Sequence, residues 1–144
     1  MQTRANTDLR LTPEQRRLVR DTFDLLREQE GPLGLLFYGK LFELDPGARK
    51  LFHNDLALQV QKLMQMLGSI VDSLDDLEPI REKLGQLGRQ HASYGVRLEQ
   101  YETLSTALVW AIAQALGPDF DRDTKEAWQR ALRMISIAMT AGIS

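Results

Sequence analysis

The chain contains no cysteine. That absence removes disulfide staples, thiolate metal sites and a cysteine nucleophile together. A surplus of positive charge is also missing: 18 Lys and Arg against 20 Asp and Glu leave a net charge of −2. With no basic cluster either, the chain has no electrostatic footprint for nucleic acid. No segment approaches the ~18 consecutive apolar residues that a membrane span needs. The polar start, Met1 to Arg10, lacks the apolar core of a signal peptide, so the expected location is the cytoplasm, with no membrane partner. Sustained apolar-polar alternation and clusters of β-branched residues are lacking, which removes the strand signal and any βαβ pattern. There are no repeats, low-complexity tracts or linkers. Histidine is scarce, present only as His53 and His91.

What is present is the composition of a globular protein: 144 residues, 43% hydrophobic and 26% charged. A chain of this length reads as one domain, 1–144, with 1–11 as a polar N-terminal extension. Such a domain buries roughly 70% of its unfolded surface, enough for a core with a cavity inside it.

Every long segment has a helical period, and the expected fold is all-α with about seven helices. The first opens at Thr12-Pro13-Glu14-Gln15, where threonine caps, proline takes the first helical position and glutamine completes a capping box. It turns Leu18, Val19, Thr22, Phe23, Leu25 and Leu26 inward and ends near Gly31-Pro32. A second helix runs from about Leu33 to Leu44, with Leu35, Tyr38 and Phe42 on one line. Asp45-Pro46 starts a short helix leading to Leu51-Phe52. After His53-Asn54-Asp55, a long helix from about Leu56 to Ser73 carries the stripe Val60, Leu63, Met64, Leu67, Ile70, Val71 and Leu74. An acidic run and Pro79 precede the helix of His91, which Gly95 closes. The next, from about Leu98 to Leu116, aligns Tyr101, Leu104, Leu108 and Ile112 and stops at Gly117-Pro118. The last begins between Asp121 and Asp123 and presents Trp128, Leu132, Ile135 and Met139.

His91 is the residue that turns this pattern towards chemistry. Ile80, Leu84, Leu87 and His91 are spaced by helical steps, so the imidazole stands on the apolar stripe where a leucine would point. A buried imidazole needs a partner for its nitrogens, either a hydrogen-bonding group or a metal. Phe52 follows a short helix, where a large ring either completes the core or covers something. Gln59 shares the inner edge of its helix with Leu63, and Tyr38 lies on the inner line of the second helix, where a buried hydroxyl needs a partner. His53, in a polar loop, is expected in solvent, and Ala127-Trp128 in the core.

In this order the residues resemble a globin, and most of all single-domain bacterial haemoglobins and the haem domain of flavohaemoglobins. The resemblance runs from about Thr12 to Met139. Leu35-Leu36-Phe37-Tyr38, Leu51-Phe52, Gln59 with Leu63-Met64-Gln65, the run from Leu87 to Val96 around His91, and Ala127-Trp128 carry it. It implies haem b (iron protoporphyrin IX) as cofactor, with His91 as the metal ligand. The other nitrogen of His91 would donate to the Leu87 carbonyl one turn back. Phe52 would pack on the porphyrin, and Leu63, Leu87, Val96, Tyr101 and Leu104 would wall the pocket. Lys62 would pair with a propionate, while Tyr38 and Gln59 would donate hydrogen bonds to the gas ligand. A hydrogen bond to a charged acceptor contributes about 1.5–3 kcal/mol. One such donor would therefore slow oxygen loss by something like ten- to a hundredfold.

The implied partners are oxygen, nitric oxide or another small haem ligand. The implied roles are oxygen binding or transport and nitric oxide dioxygenation. Two departures separate the chain from flavohaemoglobins. It ends at Ser144 with no flavin and nicotinamide reductase domain, so turnover would need an external reductase. Its last residues, Thr140-Ala141-Gly142-Ile143-Ser144, lack the glutamate that in flavohaemoglobins supports the proximal histidine, which lowers the push towards oxygen activation. A peroxidase-like haem protein and a gas-sensing or haem-free helical signalling module stay open as alternatives.

Overall fold

A computed structural model describes residues 10–51 and 55–141. Six α-helices account for most of them: α1 (Pro13–Leu26), α2 (Glu30–Leu44), α3 (Leu56–Asp72), α4 (Glu78–Ser93), α5 (Gln100–Leu116) and α6 (Arg122–Thr140). Three 3-10 segments join them at Arg27–Gln29, Pro46–Leu51 and Gly117–Asp119, and the described residues contain no strand. The expected short helix before Phe52 is the second of these segments.

The local signals work as their chemistry dictates. Thr12 accepts from the Gln15 backbone N–H at 3.1 Å, and the Gln15 side chain accepts from the Thr12 N–H at 3.0 Å. The reciprocal pair satisfies two donors that the first turn leaves open. Asp121 caps α6 by accepting from the Thr124 N–H at 2.8 Å. Gly117 ends α5 with φ +57°, a conformation that costs glycine little.

Gly31 and Pro32 do not end the first helix as expected. The chain tightens earlier, at Arg27–Gln29, and both residues fall in the first turn of α2. Backbone N–H groups in a first turn have no helical acceptor, so a proline there forfeits nothing. Leu25 and Leu35 are corrected as well: 44% and 69% exposed, they face outward. Helix α2 is apolar almost all round, so its period cannot select a face, and the one buried is Leu33, Gly34, Phe37, Tyr38 and Leu41.

The core is built where α2 packs on α5 and where α6 is crossed by α1 and α4. Leu26, Leu33, Leu84, Ala107, Ala111, Ile112 and Ala127 are shut off from solvent. At the α1–α6 crossing, the Trp128 indole N–H donates to Thr22 Oγ1 at 2.9 Å, and Thr22 passes its own hydrogen to the Leu18 carbonyl at 2.6 Å. Two crossings depend on a missing side chain. A Cβ on Gly34 would run into Val60 of α3, and one on Gly88 would run into the backbone carbonyl of Met139 in α6. At Gly88 no rotamer change could relieve the clash, because the obstacle is main chain. The depth of α4, and with it the position of His91 one turn on, is set at that contact.

Candidate functional site

Helix α4 carries its apolar stripe through Leu84, fully buried, to Leu87 and His91, each half-buried. The helix then unwinds over Gly95, at φ +98°, while the Val96 N–H donates back to the His91 carbonyl at 3.0 Å. Gly95 lies close to the Leu51 side chain, so the end of α4 and the segment after α2 meet. A second tie closes the same corner: the Gln100 amide donates to the Asp45 carboxylate at 2.9 Å and accepts from the Arg97 N–H at 2.7 Å.

Of the side chains singled out in the sequence, the structure brings Tyr101 next to His91. Tyr101 is buried, its ring 6.2 Å from the His91 ring between centroids. Leu63, Leu87, Val96 and Leu104 pack against the core yet stay half-exposed, as does Gln59. Tyr38 is buried, in edge contact with Phe37 at 4.7 Å and beside Phe42 at 6.1 Å. Lys62 is exposed. Phe52 and His53 lie outside the described residues.

Burial sets the protonation of three groups. Removal from water lowers the His91 pKa from its ordinary value and so favours the neutral imidazole, the form that can give a lone pair to a metal. The same cause raises the Tyr101 phenol and pushes the Tyr38 phenol up to about 12. Both phenols therefore keep their protons and act as donors across the physiological range.

The expected bond from His91 to the Leu87 carbonyl is not formed. His91 Nδ1 is buried and without a hydrogen-bond partner among the described residues, and so is the Tyr101 hydroxyl. The Leu87 carbonyl lies one turn back on the same helix, but the placement of the His91 ring leaves Nδ1 without it.

These residues fit a haem and do not fit a bare metal ion. No group of three or more His, Asp or Glu able to hold a metal occurs among the described residues. A single neutral imidazole is a poor site for a free ion. It suits a metal that arrives with four ligands of its own and needs one more. Beside it, Leu87 one turn back and Val96, bonded through its N–H to the His91 carbonyl, are half-exposed aliphatic groups that a flat apolar macrocycle would cover.

Sequence reasoning missed Gly34, Gly88 and the Asp45–Gln100 tie. The tie joins positions far apart in the chain and leaves no periodic trace. Gly88 interrupts the apolar stripe of α4 with no turn signal beside it, and that was the available clue, whereas Gly34 follows Gly31-Pro32 and reads as part of that turn.

Comparison with known proteins bears on the family and the fold. The globin family profile matches residues 35–139. Neuroglobin of Danio rerio is 27% identical over 147 residues, spanning 92% of this chain and 92% of its own. Neuroglobin of Tetraodon nigroviridis is 26% identical over the same shares. Among solved structures, an engineered carbene transferase derived from a Rhodothermus marinus protein, provisionally named a nitric oxide dioxygenase, superposes with a TM-score of 0.82. It is 26% identical, covering 92% of this chain and 94% of that one. A bacterial globin from Campylobacter jejuni shares the fold at a TM-score of 0.80 and 23% identity, over 92% and 96% of the two chains. No described helix is long and apolar enough to cross a membrane. The chain belongs to the globin family, whose haem its half-buried histidine and open apolar wall are suited to hold.

Proposed function

We propose that this globin holds haem b through His91 and binds oxygen, nitric oxide and other diatomic gases, with nitric oxide detoxification as its physiological direction. The observation that carries the reading is the neutral, half-buried His91 imidazole on an otherwise apolar stripe, beside aliphatic side chains that the protein itself leaves half-covered. When bound, haem would supply a redox-active iron that His91 would hold and that could take a diatomic gas. The chain supplies the rest. Leu63, Leu87, Val96 and Leu104 exclude water from the ring faces, with Phe52 in the same role. Tyr38 and Gln59 would offer hydrogen-bond donors to a polarised gas ligand, and the exposed Lys62 would pair with a propionate.

Two donors favour retention of oxygen over rapid release, since each contributes about 1.5–3 kcal/mol to a charged acceptor. A carrier must unload its oxygen. A dioxygenase needs it held until nitric oxide arrives, the two combining to nitrate while an external reductase returns one electron. The dioxygenase activity ascribed to the Rhodothermus marinus relative points the same way.

Absorption spectra of the purified protein in ferric, ferrous and oxygenated forms test the first part. A Soret band that shifts reversibly with oxygen is expected, and its absence would favour a haem-free signalling module. Nitrate formed one for one with nitric oxide consumed, in the presence of a reductase, tests the second part. Oxygen binding without nitrate would leave a binding or sensing protein.

A further inference from the structure

Helix α4 is held unevenly. Among the described residues, α6 is the one helix it packs closely against. The backbone approach there, Gly88 on Met139, lies one turn before His91. Beyond His91 the chain leaves the helix over Gly95 and runs to Gln100, where α5 begins. Whatever ties down that turn therefore holds the far end of α4.

One tie is apolar, Gly95 beside the Leu51 side chain. The other is polar and enclosed. Gln100 is only 8% exposed, yet both ends of its amide are used. The nitrogen donates to Asp45 Oδ2 at 2.9 Å, and the oxygen accepts from the Arg97 N–H at 2.7 Å. Asp45 closes α2, the helix of Tyr38. Arg97 follows Val96, whose own N–H donates to the His91 carbonyl at 3.0 Å. The path from the end of α2 to the last turn of α4 is thus three hydrogen bonds and one peptide link. A leucine would fill the space of Gln100 at no polar cost, whereas a buried amide is costly unless paired and, once paired, fixes position in a way that apolar contact does not.

We propose, resting on His91 as the haem ligand, that Gln100 is a positioning residue: held by Asp45, it fixes the turn after α4 and so sets where His91 and Val96 stand towards the haem.

Gln100→Glu keeps the size and the acceptor for Arg97 but sets a second carboxylate against Asp45. A hydrogen bond to a charged acceptor is lost, so ferric haem should pass to excess apomyoglobin about tenfold faster than from the parent protein. The iron–histidine stretching band of the ferrous protein should shift as well. Asp45→Asn alone leaves a weaker, neutral acceptor and should give a smaller change in both, which keeps the test open if Gln100→Glu does not fold. Asp45→Asn combined with Gln100→Glu reverses donor and acceptor and should return both readouts towards the parent. Unchanged haem loss in Gln100→Glu and Asp45→Asn would overturn the proposal. So would an effect that survives in the reversed pair, since it would not run through Asp45. A lowered urea midpoint of the haem-free protein with the stretching band in place would make Gln100 a residue of the fold alone, and the proposal would again fail. A parent protein with no Soret band would sink the His91 assignment and this role together, a result distinct from each of these.

Discussion

The two halves of this molecule are finished to different degrees. Where α1, α2, α5 and α6 meet, side chains such as Leu26, Leu33, Ile112 and Trp128 are closed off, and the polar groups among them, Thr22 and the Trp128 indole, have partners. Along α3 and α4 the stripe continues, but Gln59, Leu63, Leu87, His91 and Val96 stop half-buried, and a buried imidazole nitrogen has no partner among the described residues. The sequence supplies the same kinds of residue to both regions. They differ in what the protein puts opposite them. The crossing at Thr22 and Trp128 is complete as protein, whereas around His91 the imidazole nitrogen and the neighbouring Tyr101 hydroxyl are left without partners among the described residues.

The sharpest way to break this contrast is to remove the one residue that gives the open half its chemistry. His91→Ala should abolish stable haem binding unless imidazole is added, and a Soret band of normal position and intensity would show that the open half is held by something else. Next in size is Gly88, which joins the two halves. Gly88→Ala forces α4 off α6 and should cost about 3 kcal/mol in chemical denaturation. Gly85→Ala, on the same helix but facing only the Arg89 side-chain end, should instead stabilise by about 0.5–1 kcal/mol. If the two changes have the same sign, close approach at Gly88 does not set the depth of α4.

Tyr38→Phe tests the proposed donor to the gas ligand while keeping the buried ring on α2. Oxygen dissociation should speed up at least several-fold, and an unchanged rate would take Tyr38 out of the pocket. Because burial holds its phenol up to about 12, the parental rate should stay flat from about pH 6 to about pH 10. A raised folded-state pKa also stabilises the fold fully below the unfolded value of about 10 and loses that stabilisation as pH climbs towards 12. Alkaline unfolding of the haem-free protein should therefore be shallower in Tyr38→Phe. The smallest effect belongs to the closed half. Trp128→Phe leaves Thr22 Oγ1 without its donor and should cost roughly 1 kcal/mol beyond lost packing, with haem affinity unchanged. A fall in haem affinity there would mean that the halves are not independent.

Helices with one apolar face were legible before any coordinates. The stripes of α3 and α6 lie where their period puts them, because only one side of each is apolar. Helix α2 shows the limit: with apolar residues all round, the choice between Leu35 and Leu33 as an inward side chain is made by its neighbours. His91 stood out through its type and register, since a titratable ring on a leucine stripe is locally conspicuous. The Leu87 carbonyl bond failed for the opposite reason: it depends on ring placement, which residue spacing does not encode. The Asp45–Gln100 bond and the Gly88–Met139 approach join distant parts of the chain, so neither leaves a local mark.

The approach at Gly88 carries a consequence for how this chain can change. An ordinary substitution in a core can be absorbed by a neighbour's side chain, one step at a time. Here the neighbour is the peptide of Met139, which has no smaller version of itself. Any lineage or design that places a larger residue at 88 must move a whole helix in the same step, and His91 moves with it. A single hydrogen atom thus serves as the gauge for the pocket. The walls can drift in sequence around it, whereas the gauge can only be kept or replaced together with the site.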